Sequence, residues 1–144
     1  MLGEFEDETP TIRKLAEKKL GGNFYLNKVS RDDLPDFYKA SDIFLLASLS
    51  EGFGLVTIEA LLYGLPVLVH QHDVSRFVLG DMAFYSDLSK KENLKQLIEH
   101  TIPNAHNADS EARKKYVGAR YSWDCLKQDY LKMLTDSANK KIRK

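Results

Sequence analysis

Apolar residues in this chain fall into short unbroken runs, separated by glycine, proline and charged punctuation. Ile43-Phe44-Leu45-Leu46-Ala47 is such a run, short and continuous as a strand buried on both faces of a parallel sheet should be. Pro66-Val67-Leu68-Val69 repeats the signature, and residues 24–29 and 83–85 add two more strands. Between them the spacing changes to the helical period. Helices are predicted over residues 9–20, from about Asp33, and over 55–62, 74–79, 91–101 and 110–121. In the first, Thr9 suits an N-cap and Pro10 the first helical position. Ile12, Leu15, Ala16 and Leu20 form its core-facing stripe, and Gly21-Gly22 supply the stop. Ser30 with Asp33 reads as a capping box, and Pro35 moves the helix start to Asp33. Ser122 caps a last helix whose stripe is Trp123, Leu126, Tyr130, Met133 and Leu134. That stripe is expected to pack on its own domain, with an interdomain contact as the alternative.

The chemistry concentrates in the elbow between the run at 43–47 and the helix at 55–62, Ser50-Glu51-Gly52-Phe53-Gly54-Leu55. Strand, glycine-flanked turn and helix make half of a βαβ unit, and open α/β sheets bind ligands at the carboxyl ends of their strands. Gly52 and Gly54 lack a β-carbon, so the backbone there can take unusual dihedrals and approach a ligand closely. The helix that follows directs its free N–H groups and positive dipole end at the elbow, which suits a phosphate or diphosphate. Glu51 precedes this helix and Glu59 lies about a turn inside it. Glu59 is the only ionisable group between Glu51 and Tyr63. Two readings of it stand: a carboxylate that takes two hydroxyls of a sugar or ribose diol, or one that only favours the helix electrostatically with its head in water.

Composition then narrows the classes. At 144 residues, 43% hydrophobic, the chain is one domain or part of one and can form a core. Lys plus Arg equals Asp plus Glu at 21 each, so no broad basic field invites nucleic acid. The single cysteine, Cys125, excludes an internal disulfide, fits a reducing compartment, and is expected as a packed thiol rather than a nucleophile. No apolar run approaches the roughly 20 residues that span a bilayer, and the acidic start is unlike a signal peptide. His70-Gln71-His72-Asp73 closes the strand at 66–69 on the ligand-facing edge. Two histidines two apart could share a metal, but two ligands make a poor site and no cysteine or third histidine is near. A polar loop rimming the cleft is the reading. The basic tail 140–144 is read as a solvated terminus, with brushing contact to an anionic membrane as the alternative.

The run Glu51-Gly-Phe-Gly-Leu-Val-Thr-Ile-Glu59, followed by Ala60 and Gly64-Leu-Pro66-Val67, resembles the E-x7-E motif of the retaining GT-B glycosyltransferases of group 1. Residues 34–44 and Val78-Leu-Gly80-Asp81 are similar to the flanks of that motif, and the resemblance runs from about Gly3 to about Leu134. It implies the partial Rossmann-like, doubly wound parallel sheet of the C-terminal domain of the GT-B fold, over residues 1–144. It implies that Glu51 contacts hydroxyls of the donor sugar and carries the catalytic role. The Gly52, Phe53, Gly54 and Leu55 backbone would face sugar and diphosphate, and Glu59 would hold the ribose. Asn27-Lys28-Val29 would lie at the nucleotide base, although Asn27 stands where the family usually has glycine. His70 and His72 also depart from the small residues common there. No metal or other cofactor is implied, consistent with the lack of a DxD-type carboxylate pair.

The resemblance further implies a nucleotide-sugar donor and a sugar or lipid-linked acceptor held by an N-terminal domain not found in these residues. The first two strands of the nucleotide-binding domain, with their Arg and Lys for the diphosphate, are not found either. The expectation is therefore the last two-thirds or so of one domain, cytoplasmic, peripheral to a membrane at most. In the 3-2-1-4-5-6 strand order, those two strands belong between residues 24–29 and 43–47. Their lack predicts self-association, pairing with another chain, or an incomplete sheet. The function expected is donor binding in sugar transfer. The alternative is a non-catalytic nucleotide-binding or protein-interaction fragment. A Rossmann-like oxidoreductase is disfavoured because no G-x-G-x-x-G follows any strand.

Overall fold

The computed structural model describes residues 9–104 and 110–142, the side chains of 104 and 140–142 excepted. The chain divides after Ala40 into two units. In the first, α1 spans Thr9–Leu20 with the expected bounds, and Thr9 is its first residue rather than its cap. Gly21 N–H donates to Glu17 O at 3.1 Å and ends it. The stripe of α1 is not buried. Ile12, Ala16 and Leu20 instead wall an open groove of about 450 Å³ with Phe24, Tyr25 and Leu26. The predicted strand over 24–29 does not form: the segment makes a single bridge at Asn27 and no ladder. An extended run becomes a strand only beside a partner, and local pairs hold this one instead. Tyr25 stacks on Phe37 with ring centroids 5.7 Å apart, and Arg13 Nη2 donates to Leu26 O at 3.3 Å. Of the expected capping box only half forms: Asp33 N–H donates to Ser30 Oγ at 3.2 Å and Ser30 Oγ to Asp33 Oδ2 at 2.7 Å, while the N-cap itself is Asp33, with no side-chain cap bond. It precedes α2, Leu34–Lys39, which has Pro35 in its first turn.

The second unit alternates strand and helix. β1 (Phe44–Leu46) leads to α3 (Leu55–Leu62), then β2 (Val67–His70), α4 (Asp73–Leu79), a short 3₁₀ turn and β3 (Ala83–Ser86). The sheet is parallel in the order β1-β2-β3, with Leu46 opposite Val69, and His70 opposite Ser86. Only β2 is buried on both faces. β1 was expected to be, but it has one neighbour, and Leu45 is exposed. Leu61, Val67, Leu68, Val78 and Leu79 fill the core. α3 places Thr57, Ile58, Ala60 and Leu61 inward and packs on β1, β2 and α6.

Three helices follow: α5 (Lys91–Asn104) against β3, α6 (Ser110–Tyr121) against α3, and α7 (Trp123–Ile142). The carbonyl groups that end α4 have no partner within their own helix, and α6 satisfies them. The Tyr116 and Tyr121 hydroxyls both donate to Val78 O, at 2.9 and 2.7 Å, and Arg120 Nη2 donates to Phe77 O at 2.9 Å. Ser122 caps α7 as expected, accepting from Cys125 N–H at 3.2 Å. The stripe of α7 does not pack on its own unit, however: Trp123 is 66% and Leu134 60% exposed. α7 meets only α6 closely, so Cys125 is exposed rather than packed. The basic tail has no described side chains from Lys140 onward. Among the described residues no helix is long and apolar enough to cross a membrane.

One half-buried phenol gives the unit a pH dependence. Tyr85 Oη donates to Gly80 O at 2.6 Å, and Ser75 O lies 3.3 Å away. Burial pushes its pKa up to about 12, partly opposed by the Arg76 guanidinium 3.9 Å from the ring centre. A phenol whose folded pKa lies above its unfolded one stabilises fully below pH ~10, and loses that contribution as pH rises toward ~12. Tyr85→Phe is expected to cost about 1 kcal/mol at pH 8 by removing the hydrogen bond. It should also flatten the fall in melting temperature between pH 9 and 11.5, leaving a remainder from Tyr116, whose pKa burial also raises. Parallel melts of both chains across that range check it.

Candidate functional site

Because β1 and β2 are parallel and in register, their carboxyl ends share one edge of the sheet, and the loops that leave them face each other. The loop after β1 runs into α3 through Gly54, the N-cap, in the left-handed region at φ 74°, ψ 49°. A β-carbon there is strained, which explains the second glycine of the elbow. The first is different: Gly52 has no positive φ, and a β-carbon on it would meet nothing within 4 Å. No side chain caps α3. Thr57 tightens its first turn instead, with N–H and Oγ1 both donating to Gly54 O, at 2.8 and 2.6 Å.

The loop after β2 is held as firmly. Gln71 N–H donates to Ser86 O at 3.0 Å and Ser75 Oγ to His70 O at 3.1 Å. His72 caps α4, its Nδ1 accepting from Val74 N–H at 3.2 Å. His70 Nδ1 accepts from Leu88 N–H at 3.0 Å and lies 3.9 Å from Asp87 Oδ1. The Ser89 hydroxyl, donating to Asp87, holds that carboxyl below its usual range, with help from Ser89 N–H and Lys90.

Between the two loops lies a cavity of about 10 Å³, roughly the space for one water molecule. Leu46, Val69 and Leu79 form its apolar floor, and Ser48, Glu51, Thr57, His70 and Ser75 bring polar atoms to its wall. Of the residues expected at the site, Glu51, Phe53 and Gly54 come together here. Phe53 also sets its ring edge-on to Tyr121, with centroids 6.1 Å apart. Gly52 and Leu55 are exposed beside the cavity rather than in its wall, and Glu59 is half-buried a turn further along α3. Val29 belongs to the first unit, half-buried at the end of the 24–29 segment. Thr57 and Ser75 were missed. Thr57 sits inside the E-x7-E span at the spacing of a first-turn hydroxyl, a signal that was available. Ser75 becomes visible only once β1 and β2 are known to be neighbours. Among the described residues no three His, Cys, Asp or Glu side chains cluster so as to hold a metal ion.

A sequence profile of the family described as "Glycosyl transferases group 1" matches residues 2–118, and the chain belongs to that family. It is 36% identical over 96 residues to the mannosylfructose-phosphate synthase of Agrobacterium fabrum, covering 62% of this chain and 21% of that protein. It is 29% identical over 153 aligned positions to the alpha-monoglucosyldiacylglycerol synthase of Acholeplasma laidlawii, covering 100% of this chain and 37% of the other. The crystal structure of a GtfA/B complex contains a chain with the same fold, at a TM-score of 0.72 and 20% identity over 94% of this chain and 28% of that one. The fold is thus that of the Rossmann-like C-terminal domain of GT-B glycosyltransferases. The chain spans between 21% and 37% of the length of these two curated relatives.

Proposed function

We propose that this chain is the donor-binding part of a retaining glycosyltransferase that takes a hexose from a nucleotide sugar. The observation that carries the reading is the elbow: Glu51 in the cavity wall, Gly54 in the left-handed turn and an uncapped α3 directly behind it, at the carboxyl edge of a parallel sheet. In this reading Glu51 takes hydroxyls of the donor sugar and the backbone of Gly52, Phe53, Gly54 and Leu55 faces sugar and diphosphate. The start of α3 meets the departing diphosphate with N–H groups and its positive end. Glu59 takes the ribose hydroxyls. The donor site works without a metal or other cofactor. The two relatives are named for mannosyl and glucosyl products, which supports a hexose donor, and one product is a lipid, which supports a sugar or lipid-linked acceptor. That the similar chain was solved within a GtfA/B complex supports partnership with another chain as part of the proposal. A cytoplasmic setting, peripheral to a membrane at most, belongs to the same reading, supported by the single cysteine.

Transfer needs donor and acceptor held together in a closed cleft, and the cavity here is about 10 Å³. The 144-residue chain alone is therefore expected to bind donor without turning it over. Calorimetric titration with UDP, GDP, ADP and their hexose conjugates, in chelator-containing buffer, tests the reading. Saturable binding of at least one is expected, with no glycoside or hydrolysis product by mass spectrometry. Failure of every ligand to bind overturns donor recognition and leaves a protein-interaction role. Glycoside formation that Glu51→Ala abolishes overturns the statement on turnover.

A further inference from the structure

We propose that His70 donates a hydrogen bond from Nε2 to a phosphoryl oxygen of the bound diphosphate. This rests on the donor-site reading above and assigns a role to a residue that reading does not use. His70 ends β2, and its imidazole lines the same cavity as Glu51 and Gly54, with 17% of the side chain exposed. Nδ1 accepts the Leu88 N–H at 3.0 Å. A ring nitrogen that accepts carries no proton, so the neutral ring has its proton on Nε2. Asp87 Oδ1, 3.9 Å from Nδ1, accepts the Ser89 hydroxyl, and Asp87 Oδ2 pairs with Lys90, so the carboxylate is engaged elsewhere. Among the described residues Nε2 makes no hydrogen bond to protein. The ring of this cavity-lining residue therefore carries a single N–H.

The neighbouring groups decide what that N–H takes. An ionised carboxylate only accepts, so Glu51 matches hydroxyl donors. The Nε2–H of His70 only donates, so it matches an oxygen that only accepts, as a phosphoryl oxygen does. Gly54 brings the uncapped start of α3 to the same wall, and its N–H groups favour the same anion. The cavity wall thus sorts the donor: hydroxyls toward Glu51, phosphoryl oxygen toward His70.

The two nitrogens can be separated by substitution. An asparagine amide reaches about as far as Nδ1, so His70→Asn keeps the Leu88 bond and loses the cavity donor. A glutamine amide reaches about as far as Nε2, so His70→Gln does the reverse. With UDP, GDP and ADP as probes, and inorganic pyrophosphate as the base-free arm, His70→Asn is expected to bind about tenfold more weakly with its melting temperature nearly kept. His70→Gln should melt lower yet bind within about threefold of wild type. In the wild-type chain labelled with ¹⁵N-histidine, the proton should be on Nε2 of His70, and its resonance should move on adding pyrophosphate or the bound nucleotide. Nucleotide binding that His70→Asn leaves unchanged, a proton on Nδ1, or an unmoved resonance overturns the assignment and leaves the donor-site reading standing. Failure of wild type to bind any of the four probes overturns both.

Discussion

A Gly64→Ala chain is expected to melt roughly 10 °C below wild type, the largest stability loss among the glycine substitutions. Gly64 lies between α3 and β2 at φ 80°. Its N–H donates to Leu61 O at 2.9 Å, and Leu65 N–H donates to Ala60 O at 3.0 Å. Those paired bonds are the Schellman closure of α3, which calls for a left-handed residue at this position. A β-carbon would carry the strain of that region, about 1–2 kcal/mol. It would also overlap Ser110 Oγ and sit 3.1 Å from Ser110 Cβ and Lys114 Cε. Overpacking of this sort costs typically 1–3 kcal/mol. Neither α6 nor the turn can give easily: Arg113, 4% exposed, donates from Nη1 to Gly64 O at 3.1 Å and ties the two together. The total is about 2–5 kcal/mol. Gly52→Ala is the control, since it meets nothing within 4 Å and has no positive φ; its melting temperature should stay within about 2 °C of wild type. Thermal melts by circular dichroism decide the matter, and a Gly64→Ala chain that melts with wild type would refute this account of the turn.

What could be read in the residues, and what could not, follows from how local each signal is. The bounds of α1 and α6, the Ser30–Asp33 pair, the Ser122 cap and the elbow at Gly54 depend on residues within a few positions of one another. All were legible. Strands depend on partners. Residues 24–29 carry a strand's composition but acquire no ladder, and residues 43–47 carry a central strand's composition but lie at the edge of a three-stranded sheet. An incomplete sheet was among the expected outcomes, because the strands that would separate these two runs are not found. The stripe of α7 has a buried helix's period without a surface of its own unit to bury it. Least legible were contacts made across long stretches of sequence. The Tyr116, Tyr121 and Arg120 donors that close α4 come from about 40 residues away, and the pairing of Leu88 N–H with His70 crosses from one strand's loop to the next. The candidate site shares this split. Glu51 and Gly54 come from one local motif, whereas His70 and Ser75 join them through the parallel pairing of β1 with β2.

The last expectation tests the two glutamates against each other. If the donor-site reading holds, Glu59→Gln should weaken nucleoside diphosphate binding about tenfold or more, while Glu51→Gln leaves it within about twofold. Glu59 is the fifth of the eight residues of α3, half-buried. The helix dipole acts mainly within the first turn, so its electrostatics give little reason for a carboxylate there. In the donor-site reading the carboxylate takes ligand hydroxyls instead. Gln has the same shape but presents an NH₂ where an acceptor oxygen is required, and hydrogen bonds to charged groups contribute about 1.5–3 kcal/mol each. In the same reading Glu51, which shares the cavity wall with His70, takes the sugar end of the ligand. Its substitution should therefore narrow the difference in affinity between a nucleotide sugar and the matching nucleoside diphosphate. Calorimetry on both variants, with each ligand, separates the roles, and melting curves guard against a fold effect at the half-buried position. Equal losses of nucleoside diphosphate affinity in the two variants would dissolve the division of labour, because both carboxylates would then be reporting on the same part of the ligand.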